Sequence, residues 1–246
     1  MKKEIQEFLD KKDLASNSKA AYGYDLEQFL EAVGDKGVSE QALFAYERSL
    51  SQFKPTVQKR KVSAVNQFLY FLYEKGALSS YHRIHLPKEE GVLIEERELE
   101  ILELESLWST PSHSPGRLLA LLMVELGLQP SEILQLKVEH VQLEFRILRV
   151  KKAGQQRILE IPVPLLEEIE PYMTGVYLMG NQDKPYSRQW AFRQLEAFLK
   201  EAGLRELTAQ KLREQHILRR REKGHDIHDI ARDLGLKTSL TLEKYR

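Results

Sequence analysis

Residues 208–246 are punctuated for helix three times over. Thr208, Asp226 and the Thr238–Ser239 pair are side chains that cap helix N-termini, while Gly224 and Gly235 stand where the first two runs must stop. Lys211, Leu212 and Ile217 fall in the first run, and Ile227, Ile230, Ala231 and Leu234 take helical spacing in the second. The spacing predicts three short helices, the last carrying Tyr245. Six basic residues, Lys211, Arg213, Arg219, Arg220, Arg221 and Lys223, occupy 13 positions against Glu214 and Glu222 alone. A basic helix just upstream of a tyrosine is the feature any fold must accommodate.

Global charge does not explain that helix, because Lys+Arg and Asp+Glu both number 37 in the 246 residues. A nucleic-acid reading must rest on where charge sits. Residues 88–105 carry eight acidic residues and two basic ones, so both flanks are mildly basic lobes joined by an acidic strap. There is no cysteine, which excludes disulfides, thiolate nucleophiles and Cys-ligated zinc, and points to a reducing cytoplasm. The N-terminus has charges throughout and no apolar leader. The longest apolar run, 118–128, is interrupted by Glu125 and falls short of the roughly 18 residues of a membrane span. The expectation is a cytoplasmic protein with no membrane partner.

Residues 1–76 read as a helical domain. The Ser16-Asn17-Ser18 cluster precedes a helix whose Tyr22, Leu26, Phe29, Leu30 and Val33 share a face, ended by Gly34 and Gly37. A second helix spans about 39–50. Pro55 opens a third, with Val57, Val62, Val65, Phe68, Leu69 and Leu72 as its stripe and Gly76 as its stop. Lys59, Arg60 and Lys61 in its first turns are either a solvated helix end or a phosphate-contacting patch. Residues 77–98 read as an acidic linker. In 99–246, residues 117–126 are apolar nearly all round and predict a buried helix. Gln129 before Pro130 then sits at a helix N-terminus, where an anion is favoured. Two alternating runs, 145–150 and 157–163, flank Lys151-Lys152-Ala153-Gly154 and predict a β-hairpin with lysines near its tip. Trp190, Phe192, Leu195, Phe198 and Leu199 predict one apolar helix face. The fold class is mostly α with a small β-sheet: an N-terminal helical domain followed by an α+β domain.

Several segments together resemble one family. SNSKAAYGYDLEQFL, KPTVQKRKVSAVNQFLYFLYEKGAL, ELGLQPSEILQL, LRVKKAGQQRILEIPV, TAQKLREQHILRRREKG and LGLKTSLTLEKY are similar, in that order, to successive segments of the tyrosine recombinases, in their XerD-like branch. The resemblance implies a core-binding domain that clamps duplex DNA and a catalytic domain that cuts and rejoins it through a 3′-phosphotyrosyl link. It implies no cofactor and no metal. In such a reaction a tyrosine attacks a backbone phosphate, two arginines stabilise the developing charge, a lysine protonates the leaving 5′-oxygen, and two histidines assist. The match places Tyr245 on the nucleophile, Arg213 on the second arginine and Lys152, or failing it Lys151, on the hairpin lysine. Gln129, Gln210 and Leu236 occupy the places of the first arginine and the two histidines. A neutral amide cannot offer arginine's charged fork, so slow cleavage is expected. His216, the nearest imidazole to Gln210, lies nearly two turns on. His82, His85, His113, His140, His225 and His228 are scattered and suggest no ligand set.

The resemblance implies duplex DNA as partner, with a related recombinase or a second copy beside the protein on it. DNA-contacting candidates are Lys59, Arg60, Lys61, Lys151, Arg219, Arg220 and Arg221. Family members usually continue past the tyrosine into a helix that docks on a neighbour, whereas this sequence stops at Arg246, so the usual exchange of C-terminal helices is not expected. Three other readings stay open: a DNA-binding accessory protein of the same fold without chemistry, a protein-interaction role without DNA, and a helix-turn-helix regulator. The last would turn at Gly235 and use 238–246 as recognition helix.

Overall fold

The computed structural model describes residues 2–34, 37–86, 99–110, 114–152, 154–181 and 183–245. The chain divides into two compact units, Met1–Glu95 and Glu96–Arg246. The first is helical: α1 (Lys2–Lys11), α2 (Ser16–Val33), α3 (Glu40–Ser49) and α4 (Pro55–Glu74). Pro55 opens α4 at a position where its missing N–H costs nothing. Ser39 caps α3 by accepting from Ala42 N at 3.2 Å. Two expectations shift. The sequence reading missed α1, whose Ile5, Phe8 and Leu9 are buried. The cap position of α2 is Ala15, so Ser16 already lies in its first turn.

Residues 77–86, expected as linker, belong to the body of the first unit. Ile84 is buried in its core, and the Asn66 side chain brackets that residue, donating to its carbonyl at 2.9 Å and accepting its N–H at 2.8 Å. The rest of the expected linker, 87–98, lies outside the described residues.

The basic run on α4 also departs from expectation. Lys61 points inward, with its side chain 3% exposed and its ammonium 3.2 Å from the fully buried Asp25 carboxylate. Arg60 reaches the same carboxylate at 3.2 Å. A buried carboxylate is tolerated only when paired, so Lys61 is a core ion pair and not a phosphate contact. Arg60 is half committed to that pair, and Lys59 is exposed.

The second unit contains α5 (Ser106–Ser109), α6 (Pro115–Leu126), α7 (Pro130–Leu134), β1 (Val141–Gln142), β2 (Ile147–Lys152), β3 (Gln155–Glu160), α8 (Val163–Ile169), β4 (Gly180–Asn181), β5 (Lys184–Pro185), α9 (Arg188–Glu201), α10 (Ala209–Glu222) and α11 (Ile227–Asp233). It ends in a 3-10 helix, Ser239–Tyr245. Helix α6 is buried on all sides, as its sequence predicts, and packs between α9 and α10. Strands β1, β2 and β3 form an antiparallel sheet in that order, and β4 pairs with β5. The hairpin register sets Val150 opposite Arg157 and Lys152 opposite Gln155.

Four details differ from expectation in this unit. Phe145 precedes β2 and is largely exposed, and β1 adds an unpredicted third strand. Phe192 leaves the apolar face of α9, which buries Ala191, Leu195, Phe198 and Leu199. The third closing helix is 3-10, so the regulator reading has no α-helix to place in a groove. Among the described residues, no helix is long and apolar enough to cross a membrane.

Candidate active site

The site forms where the main core of the second unit meets a smaller apolar cluster made by α10, α11 and the terminal 3-10 helix. Helix α10 starts at Thr208, whose hydroxyl accepts from Lys211 N at 3.2 Å, and α11 starts at Asp226, whose carboxylate accepts from His228 N at 2.7 Å. These caps fix where the two helices begin. That turn is tight. Gly127 has φ +65°, and a Cβ there would meet Leu234 and His216 side-chain atoms at 2.4 and 2.6 Å.

Two helix C-termini hold Arg213. Its Nε donates to Gly127 O, just past α6, at 2.9 Å, and its Nη2 to Leu234 O, just past α11, at 3.3 Å. Carbonyls at helix ends lack intrahelical partners and carry the negative pole of the dipole, so they suit a guanidinium. Burial pushes the Arg213 guanidinium below its usual value, the nearby Glu132 carboxylate pushes back, and Arg157 and then Tyr245 follow as influences. Arg157 is anchored at the same end of α11, donating from Nε to Asp233 O at 2.8 Å. Its Nη1 lies 2.9 Å from Glu132 Oε1, close enough for an ion pair but off the hydrogen-bond axis.

Lys152 and Lys151 are separated by strand parity. Leu148 and Val150 are buried, so Lys152 lies on their side of β2 and Lys151 on the other. Lys152 Nζ donates to Gln129 Oε1 at 2.6 Å and lies 3.7 Å from Glu132 Oε1. The N-terminus of α7, expected to favour an anion, is occupied by the chain's own carboxylate: Glu132 Oε2 accepts from Gln129 N at 2.8 Å. Lys152, Arg157, Leu236, His228, Arg232 and Lys237 line a cleft of about 540 Å³. Gly235, at φ +64°, forms part of the wall, and a Cβ there would lie 2.8 Å from Arg157 Nη1.

Residues 95–246 match the phage integrase family. A tyrosine recombinase XerD-like protein of Streptococcus sanguinis strain SK36 is 54% identical over 246 residues, with both chains covered in full. The chain belongs to the phage integrase family. It is a member of the XerD-like tyrosine recombinase branch. Solved structures agree in fold. A lambda integrase tetramer bound to a Holliday junction matches with TM-score 0.72 at 15% identity, over 98% of this chain and 75% of that one. The XerH site-specific recombinase in a pre-cleavage complex with difH matches with TM-score 0.69 at 21% identity, over 93% and 75%.

Within that family frame, the second unit brings Gln129, Lys152 and Arg213 to one region, with Leu236 on the cleft wall. Gln210 is exposed in the first turn of α10. Tyr245 is buried, its hydroxyl donating to Glu214 Oε1 at 2.8 Å. Burial raises the Tyr245 phenol above its ordinary value; the Lys244 bond lowers it and the Glu214 carboxylate raises it further. His216 does not stand in for Gln210. It is buried, its Nδ1 faces Val124 O at 3.1 Å, and burial holds it down at about 4, so it packs the core as a neutral ring.

The arginine triplet is also corrected. Arg219 donates to Leu102 O at 2.7 Å, Arg220 to Asp233 Oδ2 at 3.0 Å, and Arg221 to Tyr245 O at 3.3 Å and His225 O at 2.9 Å. Together they clip α10 to its neighbours and do not form an open basic face. Lys151 is exposed. The sequence reading missed Glu132, Arg157 and Glu214. A signal existed for two of them: Glu132 stands three residues after the cap position, and Arg157 falls opposite Val150 once the hairpin turn is counted.

Proposed function

We propose that the protein is a site-specific recombinase that cuts and rejoins duplex DNA through a 3′-phosphotyrosyl link on Tyr245. The reading is supported by one arrangement: Lys152, in the cleft, bonds Gln129, and Arg213 bonds Gly127, so both meet the single turn between α6 and α7. Arg213, fixed by two carbonyls, keeps further N–H donors for the non-bridging oxygens, and charge-assisted contacts of this kind are the strong ones. Lys152 is the acid for the 5′-oxygen. Arg157 adds positive potential at the cleft wall, since its own donors are turned to the protein. Lys59 and Lys151 contribute contacts to the DNA backbone. The protein works in the cytoplasm beside a second copy or a related recombinase.

Cleavage is slow, because Gln129 supplies an amide where a guanidinium stabilises charge, and loss of one such group costs about 10²–10³ in rate. The test takes duplexes that the protein selects from a randomised pool, nicks them to trap the intermediate, and scores covalent adduct on a denaturing gel. Wild type gives a band and Tyr245→Phe none. Gln129→Arg accelerates adduct formation. Bound duplex without adduct in either protein sinks the catalytic reading.

That outcome would leave the second reading, a DNA-binding accessory protein without chemistry. Exposed Gln210 and apolar Leu236 favour it, since neither handles a proton. Both readings require binding that weakens steeply with salt.

A further inference from the structure

Neither Gln210 nor Leu236 can accept a proton from a phenol, and His216 is buried in the core. One carboxylate does meet the nucleophile. Tyr245 Oη donates to Glu214 Oε1 at 2.8 Å, and Lys244 Nζ donates to the same oxygen at 2.9 Å. Glu214 follows Arg213 directly on α10, a 14-residue helix capped at Thr208. The base and the phosphate-binding guanidinium therefore ride on one rigid element. At the other end, Arg221 Nε holds the Tyr245 carbonyl at 3.3 Å, and Leu242 packs into the same small cluster. The phenol is thus fixed from the backbone as well as through its hydroxyl, and little water reaches it.

We propose that Glu214 is the proton acceptor for Tyr245, a catalytic residue of the cleavage step. The inference rests on the recombinase reading above. As Oη bonds to phosphorus, the phenolic proton passes to Glu214 Oε1. The bond from phosphorus to the 5′-oxygen breaks with its electron pair on oxygen, and Lys152 gives that oxygen a proton. On rejoining, the 5′-hydroxyl attacks the phosphotyrosine, its proton returns to Lys152, and Glu214 returns its proton to the phenol. Lys244, on the same carboxylate oxygen, positions Glu214.

The test is single-turnover adduct formation by the full chain on the nicked duplex, from pH 6 to 10. It compares wild type, Glu214→Gln, Glu214→Asp and Tyr245→Phe. Gln keeps the shape and an accepting oxygen but takes no proton. Glu214→Gln is expected to slow adduct formation by about 10²–10⁴, the usual worth of a positioned base. Its DNA affinity is expected to match wild type. The deficit is expected to begin to shrink as pH rises toward roughly 10, the ordinary value of a phenol, above which burial moves Tyr245. Glu214→Asp is expected to recover part of the rate. If Glu214→Gln cleaves as fast as wild type or faster, Glu214 only tethers the tyrosine and the proposal is wrong. If wild type forms no adduct at any pH, the recombinase reading itself falls and takes the proposal with it. The wild-type adduct separates the two failures, and its loss in Tyr245→Phe shows that it forms on Tyr245.

Discussion

Glu132 and Glu214 each gather several partners around one carboxylate, in surroundings that differ. Glu132 is 2% exposed at its side chain and lies among Arg157, Lys152 and the N–H of Gln129. Glu214 is 26% exposed and meets Lys244 and the Tyr245 hydroxyl. A buried carboxylate that holds two cations serves as a fixed part, because moving it leaves them unpaired. A partly exposed carboxylate bonded to a hydroxyl can exchange a proton at small cost. The same residue type thus braces the turn and hairpin in one place and, on the proposed reading, takes the tyrosine's proton in the other.

The largest effect expected from that contrast is on stability. Glu132→Gln leaves Arg157 and Lys152 without their carboxylate, and breaking a buried pair costs about 3–5 kcal/mol. Urea unfolding monitored by circular dichroism measures it, and a loss below about 1 kcal/mol would erase the distinction between the two glutamates. The next effect concerns pH and the packing beneath Arg213. His216 is held at about 4 by burial, below its ordinary value near 6.5. The folded state resists the proton that the unfolded chain accepts, so stability from this group is whole above about pH 6.5 and is lost as pH falls toward 4, by up to about 3 kcal/mol. Glu125 opposes this in part: burial raises its carboxyl, so the folded state gains a proton there as pH falls. A melting series from pH 7 to 5 is expected to slope downward and to flatten in His216→Leu. A smaller loss, about 1–2 kcal/mol, is expected from Gly235→Ala, which places a Cβ against Arg157 in left-handed backbone. If that variant melts with wild type, Arg157 is not held as tightly as the fixed half requires.

The fixed half was more legible in the sequence than the acting half, for a physical reason. Strand parity separates Lys152 from Lys151, and counting through a two-residue turn brings Arg157 opposite Val150. Helix period would even have predicted the burial of Lys61, which shares a face with Val65, Phe68 and Leu72 on α4. All of these are short-range arithmetic. Arg219, Arg220 and Arg221 defeated the sequence reading because two of them bind backbone carbonyls, which leave no mark in side-chain pattern. Glu214 meets Tyr245 across 31 residues, through the packing of α10, α11 and the terminal 3-10 helix, and no local period reports that meeting.

The smallest expected effect is the sharpest test of the contrast. Glu214→Gln keeps an oxygen for the Tyr245 hydroxyl and loses the ion pair to Lys244, whose side chain is half exposed. Exposed pairs of this kind contribute about 0–1 kcal/mol, because water and salt screen them. Its urea midpoint is therefore expected to sit close to wild type, while its cleavage rate falls by orders of magnitude. Lys244 also lies 4.5 Å from the centre of the Tyr245 ring, so it steadies the aromatic face independently of Glu214. That second hold is why the tyrosine is expected to stay in place in the variant. A large stability loss in Glu214→Gln would make Glu214 a second structural carboxylate like Glu132, and the slow cleavage would then report misplacement of Tyr245 instead of a missing base.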